Sequence, residues 1–171
     1  MKLNTKVNIL STLLTLLILI GSYTAIYFLF KHLAYDTEYA QLQNRADELV
    51  AAVSDLDSTA NIQSLFRAYI PPNGMLRVAG EKGETLLHIQ ATASSERISY
   101  KIKPNDDFTI SMWDDIPVIA MAYPLIWPDH SVVSIELVQP LPDIARNMEL
   151  LKWILIIMTL AAMIPIYLAS T

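Results

Sequence analysis

Residues 7–56 read VNILSTLLTLLILIGSYTAIYFLFKHLAYDTEYAQLQNRADELVAAVSDL, and two hydrophobic patterns meet in them with neither Gly nor Pro at the junction. Val7 to Phe30 contains no charged residue and exceeds the ~20 residues needed to cross a ~30 Å hydrocarbon core. From Tyr35 the apolar residues fall alternately four and three apart, at Tyr35, Tyr39, Leu42, Ala46, Leu49, Val53 and Leu56, which is heptad spacing. One continuous helix satisfies both patterns. At ~1.5 Å per residue it would be a rod of roughly 75 Å with one end in a membrane.

The rest of the composition agrees with two apolar ends around a polar middle. The chain has 171 residues, of which 53% are hydrophobic, and a mean hydropathy of +0.37. A second uncharged run, Trp153 to Thr171 (WILIIMTLAAMIPIYLAST), predicts another span, in which Pro165 is tolerable because membrane helices accommodate proline better than soluble ones. A cleaved signal peptide is the rival reading of the first run, but its length exceeds a typical h-region and Lys31, His32 and Leu33 stand where a small-x-small cleavage pattern is needed. Lys2 and Lys6 precede the first span with no acid among them, whereas Lys31 to Lys152 holds ten of the twelve Lys and Arg and all seventeen Asp and Glu, a balance of −7. By the positive-inside rule the expected topology is a cytoplasmic N-terminus (1–6), a first span (7–30), an extracellular domain (31–149) and a second span (150–171) in a plasma membrane. Membrane lipid is therefore an expected partner, and the acidic balance argues against nucleic acid. The absence of cysteine excludes disulfides, thiolate catalysis and Cys-based zinc sites.

The middle is the length of one domain. Asp57, Ser58, Thr59, Ala60 and Asn61 predict a break, and about Asn61 to Tyr69 a short helix with Ile62, Leu65, Phe66 and Tyr69 on one face. Pro71, Pro72, Asn73 and Gly74 end that helix. Alternation predicts strands at Met75–Ala79 and Thr85–Ala91, joined through Gly80 and Gly83, then Arg97–Lys103, Phe108–Trp113, Val118–Trp127 and Ser131–Gln139. Pro104, Asn105, Asp106 and Asp107 predict a turn, and Pro124 places its part of a strand at an edge or a bulge. A helix from about Asp143, as its capping residue, leads into the second span. The expected fold class is α+β: a long N-terminal helix, a short helix and about five antiparallel strands between two transmembrane helices, a layout that by fold-level analogy resembles the PAS-like domains of extracytoplasmic sensor modules.

Chemistry-bearing residues are sparse. Asp106, Asp107, Asp114, Asp115 and Asp129 fall in turns and form a candidate acidic cluster for a hard cation, although their spacing matches no calcium loop and turns favour Asp for their own sake. His32, His88 and His130 are isolated, without metal-ligand spacing. Trp113, Trp127, Tyr100 and Tyr123 are candidates to line a ligand pocket, with core packing as the competing role. No nucleophile elbow and no phosphate loop occurs among the chain's four glycines. No catalytic, cofactor or metal residue is assigned. The heptad positions Tyr35, Tyr39, Leu42, Ala46 and Leu49 form a candidate seam for a parallel homodimer, especially near the membrane, while the part beyond Ala46 suits the domain's own sheet equally well.

Two stretches, AYIPPNGMLRV (Ala68–Val78) and PLIW (Pro124–Trp127) with SVVSIELV (Ser131–Val138), resemble the input end of bacterial two-component sensor histidine kinases of the Bacillus type. The resemblance spans nearly the whole chain, and its motifs are structural and name no ligand. It implies a second span followed, in the family, by a HAMP linker, a phospho-accepting histidine helix and an ATP-binding kinase domain that phosphorylates a response regulator. The chain carries none of these, so it is expected to be the sensor fragment of a longer receptor, itself no enzyme, with ATP used only by the kinase part and an unknown extracellular ligand. The alternatives are the sensor of a chemoreceptor or of a cyclic-dinucleotide enzyme, and a non-enzymatic two-span interaction or scaffold protein.

Overall fold

The computed structural model describes residues 3–55, 61–103 and 106–170. Helix α1 takes in Leu3–Ser54 without interruption. It is followed by α2 (Ile62–Ala68), β1 (Met75–Ala79), β2 (Thr85–Gln90), a 3₁₀ turn (Ala93–Arg97), β3 (Thr109–Trp113), β4 (Ile116–Ile126), β5 (Val132–Pro140) and α3 (Pro142–Ser170). The expected break up to Ala60, the end of the heptad run at Leu56 and the Pro104 and Asn105 part of the expected turn lie outside the described residues. The protein is α+β, with a long N-terminal helix, a five-stranded antiparallel sheet and a C-terminal helix.

Two units make up the chain: the residues up to Ala34 with those from Arg146, and Tyr35–Ala145. The first unit is helical. Two helices are long and apolar enough to cross a membrane, within Ile9–Ser54 and Pro142–Ile164, and large apolar side chains stand open on them, such as Leu10, Leu17 and Leu160. A helix that is apolar around its circumference is stable only with an apolar surrounding.

The second unit is built on the sheet, whose strands run in the order β2-β1-β5-β4-β3. Its register sorts the side chains onto two faces, since neighbours across strands share a face and successive residues alternate. One face carries the row Leu76, Leu137, Met121 and the row Val78, Ile135, Tyr123. The helices cover it: Gln139 Nε2 donates to Glu38 Oε2 at 3.4 Å, the Tyr123 hydroxyl donates to Asp47 Oδ1, and the Phe66 ring lies 5.9 Å from that of Trp127. Leu42, Ala46, Leu49 and Phe66 lose all exposed surface there, and burying each large apolar side chain contributes about 1.5–3 kcal/mol.

The other face carries Met75, Val138, Val118 and Ala120 beneath Ile98, with Tyr100, Ile102 and Trp113 packed at its margin. Here the expected strand at Arg97–Lys103 is corrected. Arg97 closes the 3₁₀ turn, and the residues after it are irregular. Their alternation is nonetheless real: Ile98 is buried, while Arg97, Ser99, Lys101 and Lys103 are exposed. This segment is held by side chains, with the Lys101 and Lys103 amides donating to Ser111 Oγ at 3.3 Å and Thr109 Oγ1 at 3.4 Å. One-sided burial produces the period of two whether or not a ladder forms.

Two prolines sit where their missing N–H costs nothing. β3 pairs with β4 only as far as Ala120, so Pro124, opposite Ser134, has a strand on one side only and its missing N–H breaks no ladder there. At the other end, Leu141 accepts the Ala145 amide at 3.2 Å, and α3 starts at Pro142. Proline is thus the first helical residue, where its missing donor is harmless, and Asp143 lies inside the first turn instead of capping it.

Candidate functional site

On the sheet face without helices, strands β2, β1 and β5 place His88, Arg77 and Glu136 in one row. Arg77 donates from Nε to Thr85 Oγ1 at 2.8 Å, from Nη2 to the Gly83 carbonyl at 3.2 Å and from Nη1 to Glu136 Oε2 at 3.3 Å. The Tyr100 hydroxyl donates to the same carboxylate oxygen at 2.9 Å. Burial, and then the hydrogen bond to Glu136, pushes the Tyr100 phenol above its ordinary range. The Arg77–Glu136 pair is only partly covered, so it orients side chains more than it stabilises the fold. His88, exposed, shares a 3.2 Å hydrogen bond with Gln90. The row can bind a polar or anionic group, and it contains no nucleophile with an activating base.

The motif residues Ala68–Val78 and Ser131–Val138 meet in space. Asn73 adopts φ 54 and its carbonyl accepts the buried Ser95 hydroxyl at 2.9 Å. Gly74 follows against β5: a Cβ there would lie 2.0 Å from the Val138 carbonyl oxygen. Arg45 on α1 donates to the Ile70 carbonyl at 3.3 Å. These residues thus join α1, β1 and β5.

Over its whole length the chain is similar to the sensor histidine kinase YkoH of Bacillus subtilis (strain 168), with 27% identity across 172 aligned positions. The resemblance to a sensor kinase holds. The chain spans 38% of that relative's length. No protein-family model matches the chain, and no solved structure does.

The acidic candidates are dispersed. Asp114 and Asp115 form the β3–β4 turn with φ 47 and 61, whereas Asp129 lies beyond the far end of β4, whose eleven residues extend ~35 Å at ~3.4 Å each. Asp129 accepts the Ser131 hydroxyl at 2.5 Å and its amide at 2.9 Å, and these bonds, the hydroxyl's first, hold its carboxyl below the ordinary value. Asp106 pairs with Lys103 at 3.5 Å. Asp107 precedes Phe108 and its charge contributes, after burial, to raising the Tyr39 phenol. Among the described residues no three His, Asp or Glu are placed to hold a metal ion.

The aromatic candidates also separate. Tyr100 and Trp113 pack on the helix-free face, Tyr123 is bonded to α1 and Trp127 meets α2, so they line no common pocket. The candidate seam is covered by its own domain: Leu42, Ala46 and Leu49 are fully buried within this chain, and Tyr39 stacks on Phe108 with centroids 4.7 Å apart. Tyr35 is partly buried. Spacing shows that a helix face is covered, and here the domain buries Leu42 as well as the positions from Ala46 on, while Tyr35 and Tyr39 stay half-buried. The row of Arg77, Glu136 and Tyr100 was missed at the sequence level because it joins residues 36 and 59 positions apart; Arg77 and Glu136 at polar positions inside apolar strands were its one visible signal.

Proposed function

We propose that the chain is the membrane-embedded input module of a two-component sensor histidine kinase. In this reading an extracellular PAS-like domain between two transmembrane helices detects a stimulus and passes it to a cytoplasmic kinase, which uses ATP and phosphorylates a response regulator. Similarity to YkoH along the entire chain carries the reading. Two apolar helices around a five-stranded domain support it, as does the acidic balance of the middle against the basic N-terminus.

β5 is the centre strand, flanked by β1 and β4, and a single residue, Leu141, separates it from α3, with its amide bonded to the Pro117 carbonyl at 2.8 Å. A change of sheet geometry would therefore act directly on the start of α3. A stimulus moves such an equilibrium only by its differential affinity for two states, and helix shifts of ~1–2 Å suffice as a switching mode. In this reading the functional unit is a homodimer, and Tyr35 and Tyr39, half-buried near the membrane end of the heptad stripe, are the positions still open to a second copy.

Because the chain has no cysteine, single introduced ones report topology without background. Glu81→Cys and Asp129→Cys should react with an impermeant maleimide in intact cells, and Asn4→Cys only after permeabilisation. Joined in frame to the part of YkoH that follows the matched region, the chain should support ATP-dependent autophosphorylation. Labelling of Asn4→Cys from outside, or a fusion without autophosphorylation, would overturn the reading.

A further inference from the structure

Within the helical unit, α1 and α3 leave an open groove of about 430 Å³, the size of a small-molecule pocket. Its α1 wall is a stripe of Tyr23 and Tyr27, one turn apart, and its α3 wall is Lys152, Leu155 and Thr159. Lys31 continues the α1 stripe by a further four residues and is partly buried. Both stripes thus end in a lysine, at the C-terminal end of the first apolar run and at the N-terminal end of the second.

The polar atoms of the groove are of two kinds. Thr159 donates its hydroxyl to the Leu155 carbonyl at 2.8 Å, so it offers only lone pairs. The phenol hydroxyls of Tyr23 and Tyr27 have no hydrogen-bond partner among the described residues, and Lys152 has no ion-pair partner among them. Two free phenol donors and an ammonium around an apolar slot match a molecule with an acyl body and an anionic, hydrogen-bond-accepting head. A neutral lipid would leave the exposed Lys152 ammonium to water alone, and a groove filled by a side chain would leave no open space.

We propose that this groove binds an anionic phospholipid, its phosphate between Lys152 and Lys31 and its glycerol ester on the Tyr23 and Tyr27 hydroxyls. The site rests on the transmembrane reading above, where it would lie in the outer leaflet. Lipid held between the two helices would bias their relative position, which makes membrane composition an input alongside any ligand of the extracellular domain.

The test reconstitutes the chain in nanodiscs holding equal phosphatidylglycerol and phosphatidylcholine, then counts the lipids retained on gentle detergent removal by native mass spectrometry. Phosphatidylglycerol should be retained preferentially, and Lys152→Gln should lower the preference about fivefold, as expected for one surface lysine near anionic lipid. Adding Lys31→Gln should abolish it, Lys82→Gln in the β1–β2 turn should leave it unchanged, and Thr159→Trp should empty the groove at unaltered charge. Equal retention of the two lipids, a preference untouched by Lys152→Gln, or displacement by millimolar inorganic phosphate, which would mark a soluble-anion site, each overturns it. A chain that inserts in the nanodisc without lipid preference loses this proposal alone, whereas a chain that fails to insert removes the receptor reading too.

Discussion

At the residue scale, two positions carry more of the domain than their size suggests. Gly74 has no room for a side chain, because its Cβ position falls against the Val138 carbonyl. Gly74→Ala must push β1 from β5 or break the bend at Asn73, and should destabilise the domain by about 1–3 kcal/mol, read as a lower denaturation midpoint in mild detergent. Tyr100 is the second. Its phenol is raised by burial and by the bond to Glu136, so the folded state holds that proton more tightly than the unfolded one. The corresponding stability is complete below the ordinary phenol value of 10.0 and is lost as pH rises through the folded one. Tyr100→Phe should therefore flatten the decline of the denaturation midpoint as pH rises above the ordinary phenol value of 10.0; an unchanged slope would remove Tyr100 as its source. Neither role is visible in sequence, since the Val138 carbonyl and the Glu136 carboxylate reach these residues only through pairing of β1 with β5.

At the scale of elements, the heptad stripe of α1 was legible and its partner was not. Spacing of four and three states which side chains share a face. Leu42, Ala46 and Leu49 would look the same facing a second copy or a sheet, and in the structure the chain's own domain buries them completely. Leu42→Ala and Leu49→Ala should each cost about 2–5 kcal/mol, and by an amount independent of protein concentration, because an intrachain contact has no mass-action term. A denaturation midpoint that climbs with concentration in the wild type and not in the variants would return the stripe to an intermolecular seam. The same logic explains Arg97–Lys103: Ile98, Tyr100 and Ile102 alternate because one side is covered, while the absence of ladder bonds depends on Ser111 and Thr109 lying beside the segment.

At the scale of the whole molecule, exposure has two meanings. Leu17 and Leu86 are both open, at 63% and 47%, yet the first belongs to a helix apolar all round and the second to a strand at the edge of a sheet. If the first faces lipid, Leu17→Asp should oppose insertion by about 2.5–3.5 kcal/mol and shift the chain into the carbonate-extractable fraction, whereas Leu86→Asp should leave it in the membrane. Equal behaviour of the two variants would contradict the transmembrane reading. The sequence by itself determined the apolar ends, the continuous first helix, most strands and the acidic sign of the middle, because these follow from composition and from periods of 3.6 and 2 that repeat locally. The tertiary structure alone decided that the heptad stripe is covered from within, that Asp114 and Asp129 lie at opposite ends of β4, that Arg77, Glu136 and Tyr100 share one face, and that Tyr23, Tyr27 and Lys152 line one groove. Each of those facts joins residues distant in the chain, and such proximity is fixed by strand register and helix packing, which no local pattern encodes.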